Sequence, residues 1–209
     1  MLPRLPAVFC ALALLVRAAP AGAHPEHMPE HFDIDLLVQR DGGRLELLVR
    51  TPLFLFQNVG LPLRGHATVD ATALHTNDPH ADGDATYAER AANAVAEAIA
   101  LYAGGERVTL TAHDVQLAQH SNRAFDSYAT ARAHVTGEPP AADVQVDRNR
   151  GYLDVRFTGS AEAGAPLAFA PRIAPAIRDS TTFRVGVRGA DGLRRMTVPG
   201  TGGRVGIAD

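Results

Sequence analysis

Three histidines fall within eight residues near the start of the sequence, in the run His24-Pro-Glu-His27-Met-Pro-Glu-His31. If His24 becomes the first residue, its free α-amine and its imidazole can close a chelate on one metal ion, and His27 and His31 lie near enough to add ligands. Imidazole and amine nitrogens suit Cu(II), Ni(II) or Zn(II). The alternative is a flexible, histidine-rich tail that holds metal only loosely, and two prolines in the run favour it.

A second run, Asp78-Pro-His-Ala-Asp82-Gly83-Asp84 with Glu89 at the twelfth position, has the outline of a calcium loop. The details fit poorly. His80 stands where an oxygen ligand is usual, Pro79 is unusual there, no helix enters the loop, and Glu89 has a capping role of its own. A solvated acidic loop is the simpler reading. Asp33 and Asp35, two apart on one strand face, could act as paired carboxylates but fit the solvent side of a hairpin. His113, Asp114, His120 and Ser121 lack the G-x-S-x-G elbow that a nucleophile would need. His134, between Ala133 and Val135, reads as a packed or hydrogen-bonded histidine, and Arg148, Arg150 and Arg156 as surface or ion-paired charges.

Whether His24 becomes a terminus depends on the residues before it. Arg4 gives a positive start, residues 7–16 form an apolar run, and Ala21-Gly22-Ala23 is an A-x-A cleavage site. Residues 1–23 therefore read as a secretory signal peptide. The run is closed by Arg17 and Pro20, well short of the roughly 20 apolar residues of a membrane span. Removal of this segment takes Arg4 and Arg17 but no acid, leaving 18 basic against 23 acidic residues and a formal charge of -5. It also takes Cys10, the chain's one cysteine. The remainder, 24–209, is expected to be a single β-rich soluble domain in the periplasm or secreted, held by its core alone. About 70% of the surface of such a chain is buried on folding, which is sufficient. Without cysteines it can form neither a disulfide framework nor a Cys-based zinc site, and its acidity argues against nucleic acid as a partner.

Alternation dominates the elements that must position these groups. Phe32, Ile34, Leu36 and Val38 alternate with polar residues, Asp41-Gly42-Gly43 supplies a turn, and Leu45, Leu47 and Val49 resume the pattern, which predicts a β-hairpin. Residues 51–64 are apolar but broken by Pro52, Gly60 and Pro62, predicting an irregular crossing or a short helical turn. One clear helix is expected over about 85–103, opened by a Thr86–Glu89 capping box and closed by Gly104-Gly105. Residues 107–117 read as a strand. Residues 124–135 are ambiguous, with Phe125, Tyr128, Ala131 and Val135 favouring a short second helix. Strands follow at 144–147, 151–157, 166–169, 181–188, 193–198 and 203–207. The fold expected is mainly β, an antiparallel β-sandwich-like domain bearing these helices.

Four segments carry a family resemblance: LVRTPLFLFQNVGLPLRG (48–65), IALYAGGERV (99–108), SNRAFDSYATARAHVTG (121–137) and GYLDVRF (151–157). Together they resemble the extracytoplasmic N-terminal region of HupE/UreJ-type membrane proteins. In that family the soluble region precedes a multi-helix membrane domain associated with nickel or cobalt permeation. No hydrophobic span follows here before Asp209, so the resemblance implies a soluble periplasmic module acting with a separate membrane permease partner. The leading expectation is a non-catalytic exported module that binds a transition metal (Ni, Cu or Zn, through His24, His27 and His31) or such a partner. Two alternatives stand beside it: a copper-dependent oxidase using His24 as a brace ligand, and a structural or interaction domain whose histidines are incidental.

Overall fold

The computed structural model describes residues 30–56, 59–79 and 83–207. The signal-peptide reading of residues 1–23, and His24 and His27, lie outside the described residues, as do His80 and Asp82. Two units are distinguished, 1–30 and 31–209, and everything that follows belongs to the second.

In chain order the first strands are β1 (Phe32–Asp41) and β2 (Arg44–Pro52), then a 3-10 turn (Leu53–Phe56) and the short pair β3 (Leu63–Arg64) and β4 (Thr68–Val69). The middle of the chain holds α1 (Tyr87–Ala98), β5 (Ile99–Ala103), β6 (Glu106–Arg107), β7 (Thr111–Ala118), a second 3-10 turn (Ala124–Asp126), α2 (Tyr128–Val135) and β8 (Val146–Asp147). The last third is β9 (Tyr152–Ser160), β10 (Leu167–Pro171), α3 (Pro175–Arg178), β11 (Thr181–Gly189), β12 (Gly192–Pro199) and β13 (Val205–Ile207). This is the mainly β, sandwich-like architecture expected. The expected hairpin forms as β1–β2, with Gly42 at φ 56° in its turn. Among the described residues no helix is long and apolar enough to cross a membrane.

Six strands make the larger of two main sheets, in the order β12-β11-β1-β2-β9-β7, four make the smaller, β13-β10-β5-β6, and the short strands β3-β4-β8 form a third. Pairing is antiparallel except between β1 and β11, which run parallel from Phe32↔Thr181 to Gln39↔Arg188. The sheets share one core. Ile34, Leu36, Leu47 and Val155 from the larger meet Leu101, Leu167, Phe169 and Ile207 from the smaller, and α1 adds Ala91, Ala92 and Val95. The opposite face of the larger sheet is covered in its middle by α2, whose Tyr128, Ala131 and Val135 pack on Leu37 of β1 and Leu48 of β2. Both faces of the central strands are thus buried, which explains why β1 carries Leu37 where strict alternation asks for a polar residue.

The helix predicted over 85–103 is shorter than expected. Its start is as read: Thr86 accepts from the Glu89 amide and the Glu89 carboxylate accepts from the Thr86 amide. At Ile99 the backbone turns extended, and residues 99–103 pair with β10 from Pro171↔Ile99 to Leu167↔Ala103. Gly104 and Gly105 do not end a helix. Their φ angles of 59° and 96° make the two-residue turn of the β5–β6 hairpin, a turn that needs left-handed backbone at both positions. The ambiguous 124–135 segment resolves as the 3-10 turn followed by α2, with Ser127 capping the amide of Thr130.

Candidate functional site

Where α2 lies on the larger sheet, three chain segments meet at a buried guanidinium. Arg50 of β2 donates from Nε to Asp154 Oδ1 at 2.8 Å and from Nη2 to Asp154 Oδ2 at 2.6 Å. The same group donates to the backbone carbonyl of Asn122 at 2.8 Å and to its Oδ1 at 2.9 Å. The Phe125 and Tyr152 rings both lie against it, with centroids 4.5 and 4.9 Å from the guanidinium carbon. His134 of α2 brings Nε2 to 3.0 Å from Asp154 Oδ2. Strand register dictates the pairing, since Arg50 and Asp154 sit directly opposite on β2 and β9. Three of the four segments singled out above, 48–65, 121–137 and 151–157, therefore converge on one knot.

Chemically the knot is closed. The Asp154 side chain is 0% exposed and already accepts a bidentate guanidinium, so it is not available as a base or a metal ligand. What it does is fix the 3-10 turn and α2 to the sheet. Sequence reading missed Arg50, Asp154 and Asn122. The signal was one charge of each sign within two apolar strands, Leu-Val-Arg-Thr and Leu-Asp-Val, which is how a buried ion pair looks in one dimension.

Beside the knot, Glu46 collects the remaining charges. Tyr128 donates to it at 2.6 Å, Arg132 at 2.8 Å and Arg156 at 3.3 Å, while Arg156 also donates to Asp114 at 2.5 Å. Burial pushes the Glu46 carboxyl up, but the three donors outweigh it and hold it below the usual carboxylate range. Its contribution to stability is therefore present above the unfolded-state value, roughly 4.3, and is lost as pH falls through the lower folded value. Glu46→Gln is expected to flatten the acid limb of the stability profile, read as the urea midpoint between about pH 3 and 6. An acid limb of unchanged slope would mean that another carboxylate controls it.

The remaining sequence candidates are dispersed. His113 lies at an irregularity of the β7–β9 register and shares a 2.7 Å hydrogen bond with the Thr158 hydroxyl, whereas Asp114 turns to Arg156. His120 stacks on Tyr152, with centroids 5.9 Å apart, and Ser121 is exposed. The four make no triad. The reading of Asp78 as part of a solvated loop is corrected: it is buried and ion-paired to Arg90 of α1. With Glu89 committed to the cap, two of the carboxylates that a calcium loop would use are already engaged. Asp35 likewise leaves the solvent side, buried against Arg184, whose Nε and Nη2 each donate to it at 2.8 Å. Hydrogen bonding to Asp35 raises the Arg184 guanidinium above its ordinary range. Arg156 is ion-paired, as expected.

Of the N-terminal histidines, His31 is described. It directly precedes β1, and its Nε2 lies 3.3 Å from Asp33 Oδ1, with side-chain exposures of 52% and 43%. Asp33 Oδ2 lies 3.4 Å from Arg184. Among the described residues no three His, Cys, Asp or Glu side chains come together as a metal site. Compared with known protein families and with curated proteins, the chain matches none.

Proposed function

We propose that the chain is an exported, non-catalytic module that holds a transition metal ion, Ni(II), Cu(II) or Zn(II), at His24, His27 and His31 for a membrane permease partner. The observation that carries this reading is the half-exposed His31–Asp33 pair at the start of β1. A carboxylate beside one ring nitrogen orients the imidazole and leaves the other nitrogen for a ligand, the arrangement typical of metal-bound histidines. His24 stands seven residues before His31, a reach of up to about 24 Å, so amine and imidazole can return to a fixed His31. The neighbouring Arg184 opposes a cation there, but Asp35 already engages it in two hydrogen bonds. The likeness of four segments to the HupE/UreJ soluble region supports the partner half of the reading, and a neighbouring gene for a permease lacking its own soluble domain is the expected companion.

Calorimetry on the exported, signal-cleaved protein, with His24 confirmed as the first residue by mass, tests the metal half. Binding of at least one of the three ions tighter than about 100 μM is expected. His24→Ala and His31→Ala should each weaken it by about tenfold or more. No binding in that range, or equal binding by His24→Ala, would sink the site.

A further inference from the structure

Beneath the first 3-10 turn lies a feature that the metal reading does not use. The turn, the second half of α1 and the segment joining β10 to α3 line a partly open cavity of about 160 Å³. Ile34, Phe56, Val95, Ile99, Ile173 and Ile177 are among the apolar side chains that line it. An apolar volume of about 150 Å³ accepts a benzene-sized body.

Two polar groups break the lining. Thr51, on the inner face of β2, is 5% exposed, and its Oγ1 is buried without a hydrogen-bond partner among the described residues. Buried hydroxyls are normally satisfied, so one left open in the wall of an apolar cavity calls for a partner that the protein does not supply. The other group is Arg172, the one charged residue among the described lining residues; it is exposed, and no carboxylate pairs with it among those residues. An apolar interior of one-ring size, an inner hydroxyl and a cation in the lining together define a ligand.

We propose that this cavity binds a small aromatic carboxylate, its ring among the isoleucines, its carboxylate on Arg172 and a ring hydroxyl on Thr51. The inference is independent of the metal site, and His24→Ala should leave it unchanged. The test is a protein-observed NMR titration of the exported protein with 4-hydroxyphenylacetate, phenylacetate and the neutral p-cresol. The hydroxylated acid is expected to bind tighter than about 1 mM, with shifts confined to residues around the cavity. Arg172→Gln, a change at an exposed side chain, should weaken both acids about tenfold and leave p-cresol unchanged, with circular dichroism showing the fold retained. Thr51→Val should bring the hydroxylated acid down to the affinity of phenylacetate. Ala94→Leu, which fills the cavity, should abolish all three while circular dichroism shows the fold retained. Absence of shifts at about 10 mM of every compound, acid binding indifferent to Arg172→Gln, or full binding by a folded Ala94→Leu variant would each overturn the proposal.

Discussion

Asp154→Asn is expected to destabilise the protein by about 3–5 kcal/mol, although it changes the side chain by little more than its charge. The cost arises because Arg50 stays where it is. Its guanidinium is buried, packed against Phe125 and Tyr152 and bonded to Asn122, so it does not swing out to water when its counter-charge is removed. A buried cation without a partner carries most of its desolvation penalty into the folded state. The ion pair itself is not a large net stabiliser. Arg50→Met combined with Asp154→Leu should recover part of what Asp154→Asn loses, since it removes the unpaired charge but leaves the Asn122 oxygens without their donor. Urea denaturation reads both effects as a shift of midpoint at constant slope. The exposed pair Arg123–Asp126, with side chains 82% and 67% exposed, is the control and should be worth less than about 1 kcal/mol. A loss below that level for Asp154→Asn would show that the knot yields to solvent and does not anchor α2.

The contrast between the knot and its neighbours explains which parts of the molecule were legible in one dimension. Local signals were read correctly wherever the physics is local. Thr86 and Glu89 cap α1 within a single turn, and Asp41-Gly42-Gly43 makes a hairpin through backbone preference alone. Residues 99–103 went wrong because their conformation is decided elsewhere. Ile-Ala-Leu-Tyr-Ala continues a helical spacing acceptably, but β10 offers it a ladder 68 residues away, and pairing outweighs propensity. The parallel β1–β11 pairing is equally non-local, since nothing in Phe32–Asp41 announces a partner at Thr181–Gly189.

The candidate chemistry sorts by the same rule. Asp35, Asp78, Glu89 and Asp114 each carry the residue type that a site would need, and each is taken by a partner on another segment or by a cap. Sequence spacing shows which carboxylates exist but not which arginines reach them first. With every basic side chain besides histidine an arginine, the chain has many bidentate claimants for its acids. The His31–Asp33 pair is open by comparison because it sits where the chain enters the sheet, half exposed, with Arg184 largely committed to Asp35. Position at an element's edge, more than residue type, leaves a polar pair available for a ligand.

Phe183→Ala is expected to cost about 3–5 kcal/mol, and its location predicts more than the number. Phe183 is fully buried on β11, and its ring lies 5.0 Å from that of Phe169 on β10, tilted by 56°. β11 stands between β12 and β1 in the larger sheet, β10 between β13 and β5 in the smaller, so this contact joins interior strands of both layers. With one cysteine in the whole sequence no intrachain disulfide can hold the sheets, and packing must do it. The smaller sheet is the weaker of the two, since β6 and β13 are only two and three residues long. Hydrogen exchange on Phe183→Ala should therefore show β5, β10 and β13 losing protection before β1, β2 and β9. A double-mutant cycle with Phe169→Leu and Phe183→Leu should return a coupling of about 0.5–1.5 kcal/mol, the value of a tilted aromatic pair beyond its area. If protection instead falls uniformly across both sheets, the sandwich opens as one cooperative unit, and the smaller sheet owes its order to Leu101, Leu167 and Ile207 as much as to this pair.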